Sequence, residues 1–146
     1  MASRRKGRIL AFQAIYFWES NRVSVEELIK FAWLEENKPL DEEMKVFSQI
    51  LISGTIENIG EIDKKIKEHL QNWDISRLNR VDLAVLRMSV YSLMFQNDIS
   101  PSIVIDEAIG ISREFGAEDS YKFINGVLDS IRKTLSLQQK EALKNS

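Results

Sequence analysis

Apolar residues recur three and four positions apart along nearly the whole chain, the spacing of one buried helix face, and no stretch alternates strictly for the length of a strand. The pattern predicts an all-α protein. Leu10, Ala11, Ala14, Ile15, Phe17 and Trp18 form the first stripe, on a helix that begins near Ser3 or Arg4 and is interrupted at Ser20 and Asn21. Ser24, followed three residues later by Glu27, reads as a capping box opening a second helix through Leu28, Phe31, Ala32 and Glu35, and Pro39 bars its simple continuation. Asp41, Glu42 and Glu43 put acids at the positive end of a third helix. Phe47, Leu51, Ile59, Ile62, Ile66 and Leu70 extend it as one long helix, kinked at Gly60.

Beyond Leu70, Asn79 with Asp82 marks a helix start, and Val81, Ala84, Val85, Met88, Tyr91, Leu93 and Met94 make the helix apolar enough to lie at the centre, ending near Asn97. Ser100 with Pro101 opens a fifth helix that Phe115 and Gly116 close. Asp119 or Ser120 caps the last, which carries Phe123, Ile124, Val127, Leu128 and Ile131. Six principal helices result, three on each side of Leu70, which suits two small three-helix bundles sharing one core. Residues 1–146 then form a single domain, with halves at 1–70 and 71–136 and a polar tail at 137–146 that frays. Trp18, Phe31, Trp33, Phe47 and Phe95 fall at core spacing, and Trp73 plugs the junction between the halves.

Composition narrows the function more than the fold. With 146 residues, two prolines and six glycines, there is material for one ordered domain and little for linkers. No cysteine is present, so disulfides and thiolate metal sites are excluded and a reducing, cytoplasmic setting is the simple reading. No run is apolar enough to span a membrane, and the first residues lack the pattern of a signal peptide. A net charge of −2 conceals an uneven distribution, because Arg4, Arg5, Lys6 and Arg8 precede the first acid, Glu19, and leave −6 for the rest.

Catalytic chemistry is poorly supplied. His69 is the single histidine and, beside Glu68 at a charged helix end, reads as a solvated group; Asp106 and Glu107 face no second set of ligands, and the acids at Glu35, Glu36 and Asp41 to Glu43 read as helix-end charges. There is no nucleophile elbow and no phosphate-cradling glycine loop. The sequence therefore predicts neither an enzyme nor a metal or cofactor. At about 100° per residue, Arg5, Arg8, Phe12 and Tyr16 share an outward sector of the first helix, opposite Leu10, Ala14, Phe17 and Trp18. Cations beside an aromatic ring suit single-stranded RNA, with guanidinium groups on phosphate and a ring under an unstacked base. From these residues alone, a solubilising basic start with Tyr16 packed on a neighbour is the favoured reading, because short basic runs are common and weakly specific.

Three stretches together resemble the NusB family: RRKGRILAFQAIYFWE at 4–19, WDISRLNRVDLAVLRMSVYSL at 73–93 and SPSIVIDEAIGISREFGAEDSYKFINGVLDSI at 100–131. The last is the most specific. The resemblance implies a two-bundle helical fold and a transcription antitermination factor that, with the ribosomal protein NusE, binds the boxA element of nascent ribosomal RNA and joins NusA, NusG and RNA polymerase. It implies RNA-binding roles for Arg4, Arg5, Lys6, Arg8 and Tyr16, a second RNA-facing patch at Asp119, Lys122 and Phe123, and a NusE-facing position at Asp82. Lys6 and Gly7 depart from an Arg-Ala-rich family pattern, which predicts a helix tip that starts later or is looser. The same resemblance leaves open the RNA-binding domain of a ribosomal RNA cytosine methyltransferase, and a homodimer that hides its RNA site. The charge distribution further predicts that RNA and a basic partner dock at opposite ends.

Overall fold

Caps, more than propensity, set where the helices of this chain begin. A computed structural model describes residues 2–34, 40–71 and 74–144. Among them are seven α-helices and no strand: α1 (Ala2–Asn21), α2 (Val25–Ile29), α3 (Glu42–Glu57), α4 (Ile59–Glu68), α5 (Arg80–Phe95), α6 (Pro101–Phe115) and α7 (Ser120–Lys144), with a 3₁₀ turn at Ile75–Arg77 before α5. Ser24 Oγ accepts from the Glu27 N–H at 3.2 Å, Asp41 from Met44 at 3.3 Å and Asn79 from Asp82 at 2.8 Å, so three predicted starts are made by side-chain caps. Pro101 occupies the first turn of α6, and the Gly116 N–H closes that helix on the Ser112 carbonyl at 2.8 Å.

Several boundaries differ from the periodicity. The second helix stops at Ile29, because Phe31 takes a left-handed conformation (φ 60°) that turns its ring into the core, while Trp33 Nε1 donates back to the Leu28 carbonyl at 2.9 Å. Ala32, expected within that helix, lies beyond its end and is exposed. The long third helix is two helices, broken at Asn58, whose amide donates to the Gly54 carbonyl at 2.8 Å; Gly60 lies within the first turn of α4. That makes seven helices where six were expected. Helix α7 continues past Leu137 to Lys144. Trp73, Glu35, Glu36 and Pro39 lie outside the described residues. No helix of the described residues is long and apolar enough to cross a membrane.

The central position expected of the apolar helix is held by α5, which touches α1, α3, α4, α6 and α7. Every residue from Asp82 to Val90 on it is buried. Around it one continuous core runs from Leu10 on α1 to Ile131 on α7. Two close approaches set its geometry. A Cβ at Gly54 would stand 2.1 Å from the Tyr91 ring, so α3 can pass α5 here only without a side chain, and a Cβ at Gly7 would stand 2.8 Å from the ring of Phe47. Gly7 is thus the contact point of α1 with α3, and the expected loosening of the helix tip is corrected: α1 begins at Ala2. Among the core side chains sits Arg87, 6% exposed, which bonds Asp63 of α4 through two nitrogens at 2.9 Å each and Glu19 of α1 through a third. Phe95, expected in the core, is 41% exposed and stacks on Tyr91 at the end of α5.

Candidate nucleic-acid interface

On α1 the basic residues separate by depth. Arg4, Arg5 and Lys6 are exposed, whereas Arg8 is only 7% exposed and Phe12 3%, which corrects the expected outward sector. The cause is α3 and α6 closing over that side of the helix: Arg4 and Arg8 both stack on the Phe47 ring, 4.4 and 5.2 Å from its centre, and Phe12 packs on Phe115 of α6 at 5.4 Å. Burial lowers the Arg8 pKa, the Glu107 carboxylate opposes that shift and Arg4 adds to it. Arg8 is therefore a buried brace between α1, α3 and α6, while Arg5 reaches across α6, where a Cβ at Gly110 would stand 2.6 Å from its Nη2.

Tyr16, two turns beyond Arg8, is 42% exposed and keeps its ring at the surface. It borders a depression of about 320 Å³ lined also by Asn79, Arg80, Val81, Phe115, Gly116 and Ala117. Asn79 and Ala117 in turn border a larger one, about 590 Å³, which holds Arg77, Asp82, Asp119, Ser120 and Phe123. Phe123 forms a wall of a third, about 350 Å³, with Lys122, Gly126 and His69. Residues from α1, the start of α5, the α6–α7 corner and α7 thereby form one track. The structure brings together Tyr16, Asp82, Asp119, Lys122 and Phe123, with Arg4, Arg5 and Lys6 further along the same helix as Tyr16. Arg8 is left beneath the surface.

Asp82 is not the outward acid that the sequence suggested. It is 7% exposed in the first turn of α5, where its Oδ2 accepts from Asn79 Nδ2 at 3.2 Å. Burial pushes its carboxyl up from the ordinary range, against hydrogen bonding from Ser120 and Asn79. It lies in the same depression as Asp119 and Phe123. Asp119 and Lys122 are both exposed and pair loosely at 3.5 Å across one turn. His69 closes α4 and sits 2.7 Å from Ser130 Oγ of α7; burial lowers its pKa, Lys65 lowers it further and Glu68 opposes.

Asn79, Ala117 and Phe115 were missed as surface residues by sequence reasoning, because they join the track through tertiary packing of α5 against α6. The signal for Arg87 was present: a lone cation among Val85, Leu86 and Met88 has to be either buried and paired or placed on an outward face. Among the described residues no group of three or more potential metal ligands converges.

Comparison with known proteins places these features in a family. Residues 5–133 match the model of the NusB family. The transcription antitermination protein NusB of Treponema denticola is 54% identical over 129 residues, which are 88% of this chain and 95% of that protein. The fold is similar to NusB of T. maritima, with a TM-score of 0.80 at 38% identity, covering 89% of this chain and 90% of that one. It is similar also to a chain in a complex of the antitermination factors NusB and NusE with double-stranded RNA, with a TM-score of 0.82 at 30% identity, covering 92% of this chain and 98% of that one.

Proposed function

The chain belongs to the NusB family, and from that premise we propose that it is a transcription antitermination factor that binds boxA-type RNA together with NusE in the cytoplasm and joins NusA, NusG and RNA polymerase. It is not an enzyme. The observation that carries the reading is the track: two rings, Tyr16 and Phe123, border adjoining depressions, with the exposed cations Arg4, Arg5 and Lys6 on the helix of the first and Lys122 beside the second. Rings spaced along a groove with cations beside them bind single-stranded RNA by stacking and phosphate contact. The similar complex of NusB and NusE holds double-stranded RNA, which supports RNA as the ligand and NusE as a partner without selecting the single-stranded form. Relatives that match along most of their own length carry the antitermination name, which favours this reading over a methyltransferase domain. Residues 1–146 act in this reading as one unit, with 1–70 and 71–136 as its halves.

The test is a titration of boxA-like and scrambled RNA with the protein, alone and with NusE, at several salt concentrations. The boxA-like RNA is expected to bind more tightly, and NusE to strengthen it. With Arg4, Arg5, Lys6 and Lys122 meeting phosphates, the slope of log K against log salt is expected near −0.7 per contact, about −3 in all. A flat salt dependence would remove the cations from the track.

Asp82 separates the two partners by sign. Asp82→Asn keeps the side chain's shape and removes its charge, so the variant is expected to bind basic NusE more weakly, because an attractive charge is lost. It is expected to bind RNA more tightly as the isolated protein, because a repulsive charge leaves the track. Equal weakening of both would show that the substitution acts through the start of α5 instead, where Asp82 pairs with the capping Asn79.

A further inference from the structure

Gly126 has no folding reason to be glycine. It lies inside α7, six residues from the helix start, where glycine disfavours the helix relative to alanine. Its backbone is not left-handed, since among the described residues no glycine has a positive φ. A Cβ there would meet no atom within 4 Å, so no neighbour demands the missing side chain either. Gly7 and Gly54, by contrast, are each required by a ring pressed against them. What distinguishes Gly126 is its position, on the floor of the third depression, between Phe123 and Ser130 on α7 and opposite His69 at the end of α4.

We propose that the RNA track continues past Phe123 across Gly126, so that the nucleotide following the one stacked on Phe123 lays its sugar and phosphate against the bare backbone of α7, between Lys122 and His69. This rests on the RNA-binding reading above and extends it by one subsite. Phe123 lines both this depression, about 350 Å³, and the central one. Lys122, exposed and only loosely held by Asp119, supplies the cation for the phosphate. His69, fixed by Ser130, Gln71 and Ser130 itself supply polar edges of the kind that a ribose hydroxyl uses. A Cβ on α7 would hold the strand away from this floor.

The experiment compares wild type with Gly126→Ala, Gly126→Leu and a control, Gly60→Ala, whose glycine is equally open but borders none of the three depressions. Each variant is melted and titrated with boxA-like single-stranded RNA, without NusE and with it. Gly126→Ala is expected to raise the melting temperature by roughly 2 to 4 °C through helix propensity. Despite that gain it is expected to bind RNA more weakly, and Gly126→Leu by roughly tenfold, the scale of one lost nucleotide contact. Gly60→Ala leaves RNA binding unchanged. Wild-type binding matched by Gly126→Leu overturns the added subsite and leaves the RNA-binding reading standing, whereas failure of the wild type to bind RNA overturns both. Loss of NusE association with RNA binding by the isolated protein intact assigns the depression to a protein partner and overturns the proposal.

Discussion

Arg87→Ala is expected to destabilise the protein by about 3 to 5 kcal/mol, the cost of removing one partner from a buried ion cluster. Burial alone would lower the Arg87 pKa, yet Asp63 and Glu19 together raise it above the ordinary value, so the two carboxylates more than offset the guanidinium's loss of water. Removing the guanidinium leaves two carboxylates, each about three-quarters buried, facing an empty space between α1, α4 and α5. Trp18 also loses a cation 5.9 Å from its ring. At roughly 2 to 4 °C per kcal/mol for a chain of this size, the melting temperature should fall by about 6 to 20 °C. Arg87→Lys should recover only part of this, because a single ammonium cannot reproduce the two-pronged bond to Asp63. Replacing Arg87, Asp63 and Glu19 together by Met, Leu and Leu should recover most of it, since no buried charge is then left unpaired. Thermal melts of the three proteins decide the matter; a loss under about 1 kcal/mol for Arg87→Ala would mean that water replaces the guanidinium at little cost.

Tyr16→Ala is expected to weaken boxA-type RNA binding by about 1 to 3 kcal/mol, the range for one base stacked on a ring. Its melting temperature should stay close to that of the wild type, because the ring is 42% exposed and lies at the edge of the packed interior. Tyr16→Phe should retain most of the affinity, since stacking needs the ring and not the hydroxyl. Paired melting and titration curves separate this from a packing role: if binding falls only as the fraction of folded protein falls, Tyr16 is a structural residue.

Starts that rest on short-range chemistry could be read directly from the chain. Ser24, Asp41, Asn79 and the Ser100-Pro101 pair each act within one turn of themselves, and each opens a helix where the sequence predicts one. Ends that depend on tertiary packing could not be read this way. Periodicity carries α2 through Phe31, but the ring of Phe31 gains more from the core in a left-handed turn than from another turn of helix. Asn58 was passed over because Gly60 is the stronger helix breaker by propensity, whereas the amide of Asn58 found a carbonyl one turn back. At the interface the same division holds. The helical wheel placed Tyr16 at the surface correctly, but placed Arg8 and Phe12 there too, because a wheel has one core side whereas α1 packs on both α5 and α3, with Phe47 of α3 over Arg8 and Phe115 of α6 against Phe12. The family resemblance supplied Asp119, Lys122 and Phe123 as names, and only folding showed that Asp119 and Phe123 line the depression next to that of Tyr16, with Lys122 in the one beyond.

The contact between Glu19 and Arg87 joins residues 68 positions apart, and it fixes an order of events during synthesis. Helix α1 leaves the ribosome first, with an apolar side comprising Leu10, Ile15 and Trp18 and an acid whose cation has yet to be made. At roughly 5 to 20 residues per second, several seconds pass before α5 emerges to cover that side. During this interval the nascent chain presents a sticky, amphipathic rod led by four cations, next to a particle built of RNA. Only when Arg87 emerges does the carboxylate of Glu19 meet its cation, and α1 ceases to be a free amphipathic rod.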